Sequence, residues 1–82
     1  MGLRELWARL VKAEFEAKKH AARIQDQKAV IAALIMRGKT TDQAHRILLN
    51  YERAQDHQLA DVEAIKDALA RLSTGDAAAG HR

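Results

Sequence analysis

The chain has 82 residues, with 14 Lys and Arg against 11 Asp and Glu, a formal charge of +3, no Cys and no Pro. It forms one small domain at most, without disulfides or thiolate metal sites, and a core this small is marginal unless stapled or oligomeric. The mild positive charge permits contact with nucleic acid but does not argue for it, because a phosphate-binding surface needs clustered charge.

No stretch approaches the ~20 apolar residues of a transmembrane helix. At the N-terminus Arg4, Glu5 and Arg9 interrupt what a signal peptide would keep apolar. The expected location is the cytoplasm.

The first predicted element is a helix over about 3–37, rich in Ala, Leu, Lys, Arg, Gln and Glu and free of breakers. Read as heptads, its a positions are Leu3, Leu10, Ala17, Ile24 and Ile31, and its d positions are Leu6, Ala13, His20, Gln27 and Leu34. That is a seam of period 3.5 with a polar middle.

A turn over 38–40 follows. Gly38 suits the left-handed position that closes a helix, since it has no Cβ to clash. Thr40-x-x-Gln43 reads as a capping box, and Asp42 places negative charge at the positive end of the next helix dipole.

The second predicted helix runs over about 41–73. Its a positions are Thr41, Leu48, Gln55, Val62 and Leu69; its d positions are Ala44, Tyr51, Gln58, Ile65 and Leu72. Gly75 offers a stop, and 76–82 is expected to be a flexible tail. The domain is therefore a hairpin over 1–75. A turn centred on Lys39 sets Leu34 beside Ala44, Gln27 beside Tyr51, His20 beside Gln58, Ala13 beside Ile65 and Leu6 beside Leu72. Apolar layers then face apolar layers, and polar layers coincide. Residues 3–37 carry eight Lys/Arg against four Asp/Glu, and 41–73 carry four against six, which favours the pairing weakly.

The fold class is all-α: an antiparallel, coiled-coil-like two-helix hairpin. Apolar residues also lie off the seam. Val11, Phe15, Ala22, Ala29, Ala33 and Met36 form a second strip on the first helix, with Trp7 and Ile35 beside the seam. Faces this wide predict more than one neighbour, and the expected partner is a second copy, giving a homodimeric four-helix bundle.

His20 with Ile24 and Gln27, then Gly38-x-x-Thr41-x-x-Ala44-x-x-x-Leu48-Leu49-x-Tyr51-Glu52 and His57, resembles a group of short helical-hairpin proteins common in alphaproteobacteria. In that group the turn usually reads Gly-His-Asp-Thr; here Lys39 and Thr40 replace the His and Asp. The resemblance covers about half the chain and implies a helical hairpin. It implies no activity, because the group has no established function.

Candidate sites follow from the seam and the tip. The polar waist of His20, Gln27, Tyr51, Gln55 and Gln58 admits two readings. A metal or ligand site would draw on His20, His57, Glu16 and Asp61, since Glu16/His20 and His57/Asp61 stand four residues apart. Paired Glu-x-x-His motifs are missing, so the expectation is a hydrogen-bonded layer that fixes register, with no metal and no cofactor. At the tip, Arg37, Lys39 and Arg46 are candidates for phosphate or nucleic acid, against ordinary solvated surface. The segment Leu3 to Phe15 is amphipathic enough for a membrane surface or a partner's groove; the simpler reading packs it on Ile65, Leu69 and Leu72 and leaves Trp7, Val11 and Phe15 as partner anchors. Catalysis finds no support: there is no nucleophile–base pair, no glycine-rich phosphate loop, no HExxH, and no Arg at any a or d position. The function expected is a small non-catalytic protein–protein interaction or regulatory module. The alternatives are an RNA- or DNA-binding hairpin dimer and a metal- or ligand-binding bundle.

Overall fold

The computed structural model describes residues 2–80, with side chains as far as Ser73. Two helices, α1 (Leu3–Met36) and α2 (Asp42–Gly80), pack against each other along a rod of 69 × 17 × 15 Å. The rod is two helices thick, so its core is a single seam.

The seam is the one the heptads mark. Leu6, Leu10, Ala13, Ala17 and Ile31 of α1 are buried, and Ile24, His20, Gln27 and Leu34 are half-buried between them. Among the described residues of α2, Ala44, Val62, Ile65 and Leu69 are buried and Leu48, Tyr51, Gln55 and Gln58 half-buried, with Thr41 half-buried just ahead of the helix. The densest apolar cluster joins Leu6, Leu10 and Ala13 to Val62, Ile65 and Leu69, at the end far from the turn. Toward the far end of the seam, Leu3 and Leu72 are 41% and 38% exposed.

The turn is a Schellman motif. Arg37 is the C-cap, Gly38 has φ +68, the Gly38 N–H donates to Ile35 O at 3.0 Å and the Lys39 N–H donates to Leu34 O at 2.9 Å. These bonds satisfy carbonyls that the end of a helix leaves open. They also double the chain back beside the last turn of α1, whose final residue, Met36, is 88% exposed.

Two side-chain bonds between the helices correct the expected register. The cross-helix bonds run from Gln27 Nε2 to Ala44 O at 2.9 Å and from Gln58 Nε2 to Ala13 O at 3.2 Å. The turn-centred pairing had set Gln27 beside Tyr51 and Ala13 beside Ile65. Part of the difference arises because a helical carbonyl points toward its own C-terminus; the rest is an offset of about one turn, ~5 Å. Leu6 is accordingly opposite Leu69 rather than Leu72, which explains why Leu6 is 6% exposed and Leu72 is 38% exposed.

Both ends of α2 also differ from expectation. It starts at Asp42, with the His45 N–H donating to Thr41 O at 2.8 Å, so Thr41 rather than Thr40 holds the cap position. Three residues on from Thr41 is Ala44, whose methyl cannot make the hydrogen bond that completes a capping box. Among the described residues neither Thr40 nor Gln43 makes a side-chain hydrogen bond. At the other end the helix passes through Gly75 to Gly80 instead of closing near Ser73. A helical glycine costs only about 1 kcal/mol against alanine, and Ala77, Ala78 and Ala79 follow it. Residues 81–82 of the expected flexible tail, and the side chains from Thr74 onward, lie outside the described residues.

Candidate functional site

The polar waist divides into parts with different fates. Gln27 and Gln58 both occupy d positions, and each donates its amide to the carbonyl of a buried alanine, also at d, on the facing helix. The alanine methyl is small enough to let the amide reach a carbonyl already engaged in its own helix, where a second lone pair is free. The two bonds are related by the hairpin's approximate two-fold. They pin the register from both sides of the middle, as a buried polar group does in a coiled coil.

Gln55 behaves differently: its Oε1 is buried and unpartnered. His20 and Tyr51 are half-buried in the same stretch of seam. Residue-type reasoning found the polar layer but missed its acceptors, because a backbone carbonyl has no residue-type signature. The available signal was the coincidence of Ala and Gln at d.

The four metal candidates do not converge. Glu16 is half-buried and pairs with Lys19 on its own helix at 3.2 Å. Asp61 is exposed, and it lines one open groove with Glu16, Arg9, Lys12 and Gln58. Neither histidine lines that groove, and His57 is exposed. Among the described residues, no group of three or more His, Cys, Asp or Glu is placed to hold a metal ion.

The N-terminal segment splits by face. Leu6 and Leu10 enter the apolar cluster, whereas Trp7, Val11 and Phe15 stay outside it at 54%, 65% and 60% exposure. The Lys19 ammonium lies 5.3 Å from the centre of the Phe15 ring, a cation–π distance. At the other end of the rod, Arg37, Lys39 and Arg46 are exposed around the tip. Among the described residues no carboxylate lies within ion-pair distance of these three. His45, beside them, is tied to the turn by a 3.0 Å contact from Nδ1 to Thr41 O.

Fold and surface together define a class: an all-α antiparallel helical hairpin with one seam between its helices and an exposed apolar strip outside it. Compared with protein-family models, curated proteins and solved structures, the chain has no match. No helix among the described residues is long and apolar enough to cross a membrane.

Proposed function

We propose that this chain is a small non-catalytic helical interaction module that works as a homodimer of two hairpins, four helices in all. One observation carries the reading. Among the described residues no large side chain is fully buried, while Trp7, Val11, Phe15, Ile35, Met36 and Leu49 lie 46% or more exposed. A seam one layer deep gives a chain of this size little stability, and a second hairpin supplies the missing neighbour. The absence of any Arg or nucleophile–base pair at a seam position supports a binding role over a catalytic one.

The test is the mass of the full chain in solution, by light scattering and sedimentation over a range of concentrations. A dimer is expected. A monomer at the highest attainable concentration removes the homodimer and leaves the strip to a different partner.

The cationic tip favours a second reading, a hairpin that binds RNA or DNA. Binding to a nucleic acid duplex should then weaken steeply with salt, and changing Arg37, Lys39 and Arg46 together to Ala should flatten that dependence. Binding that ignores both salt and these substitutions sinks the second reading.

A further inference from the structure

In a seam of this kind the position opposite the core, one per heptad, ordinarily carries polar residues. On α2 this outermost line reads Arg46, Arg53, Ala60, Asp67, and all four are exposed. On α1 it reads Ala8, Phe15, Ala22, Ala29, Met36. All five are also exposed, and none is polar. α1 is therefore apolar front and back, and only its front has a partner.

The order along this line is self-complementary. Turned antiparallel on a copy of itself about Ala22, it sets Met36 against Ala8 and Phe15 against Ala29, each large residue meeting a small one, with Ala22 on the two-fold axis. The flanks agree. Lys19 comes within one residue of Asp26 on the same flank of the second copy, twice by symmetry. The parallel alternative stacks Lys12, Lys18 and Lys19 on their own copies and Phe15 on Phe15. Net charge opposes bringing two copies of α1 together. That repulsion is screened over about 8 Å at physiological salt, so local pairs and packing decide.

We infer that the second hairpin docks on the outer face of α1, antiparallel and with Ala22 at the two-fold, so that the four helices stack in the order α2, α1, α1, α2. This rests on the homodimer reading and specifies its interface. The contact is isologous, closes at two copies, and leaves the cationic tips at opposite ends of the assembly.

The chain has no cysteine, so an introduced one reports on its own position. Oxidation of Ala22→Cys should give a covalent dimer of unchanged helicity, whereas Arg53→Cys, on the outer line of α2, should not cross-link. Ala22→Glu sets two carboxylates together on the axis and should raise the dimer Kd about a hundredfold, with the circular dichroism unchanged because residue 22 is solvent-facing. Asp26→Lys should weaken the dimer about tenfold, and adding Lys19→Asp should restore it.

The outcomes separate the two readings. A wild-type dimer that is indifferent to Ala22→Glu and does not cross-link through Ala22→Cys overturns this interface and leaves the homodimer standing. A wild-type chain monomeric at every concentration overturns both. If that monomer sediments with phosphatidylserine vesicles and Phe15→Glu abolishes the binding, the strip belongs to a lipid surface.

Discussion

Gln55 and Gly38 show how much single residues decide in a core one layer deep. The unpartnered Gln55 Oε1 carries a desolvation cost of about 1–3 kcal/mol with no compensating bond. Gln55→Leu is therefore expected to raise stability by about 1 kcal/mol, read as a higher midpoint in thermal unfolding. A fall would mean that the oxygen is held after all. Gly38 is the opposite case. A Cβ added there meets nothing within 4 Å, so the cost of Gly38→Ala is purely conformational. At φ +68 that cost is about 1 kcal/mol, with helix content retained. A loss several times larger would indicate that the turn packs on something beyond its own bonds.

At the scale of the helices, the faces should respond to substitution very unequally. Ile31 is 8% exposed and Val11 is 65% exposed, although both are apolar and both lie on α1. Ile31→Asp buries an unpaired charge and is expected to unfold the hairpin at room temperature. Val11→Asp should leave the circular dichroism and midpoint of the monomeric hairpin nearly unchanged, measured at dilutions where no dimer forms. Equal effects from the two would show that the seam is not where the heptads put it. Gln58→Leu removes one register pin yet adds apolar surface, so stability should hold within about 1 kcal/mol, while amide exchange around Ala13 and Ala17 accelerates. The seam was legible from residue types because a period of 3.5 admits only one face for Leu6, Leu10, Ile31, Val62 and Leu69. The register was not legible to better than a turn. It depends on how far the Schellman bonds at Gly38 and Lys39 fold the chain back, and on glutamine amides finding backbone acceptors. The far end of α2 was not legible, because Gly75 reads as a stop although a glycine between good helix formers costs less than propagation gains. Of the candidate site residues, Trp7, Val11 and Phe15 proved to share one exposed strip, whereas His20, His57, Glu16 and Asp61 did not gather at one centre. Position four residues apart on a helix aligns two groups but says nothing about the facing helix.

For the molecule as a whole, the distribution of apolar contact matters more than its amount. The cluster around Leu10 and Ile65 lies at one end, and the covalent turn lies at the other. Between them the seam holds Ile24, Tyr51, His20 and Gln55, all half-buried. A dimer through the outer face of α1 would stiffen the rod across this weak span, because Ala22 sits at its middle. Dilution to monomer should therefore lower the protection of α1 amides near residue 22 more than those near either end, as measured by hydrogen exchange at two concentrations. Uniform loss along the helix would point to a contact elsewhere.

A strap buckled at both tips bows at its centre. Because Leu6 and Leu69 meet only after 62 intervening residues have been looped out, while the Gly38 bend forms from neighbours, the two fasteners close on very different terms. The near one is local and quick; the distant one is costly in chain entropy but richest in oily contact. Stretches of the backbone flanking His20 and Gln55 are then the first to breathe in the native molecule, ahead of either extremity of the apolar seam.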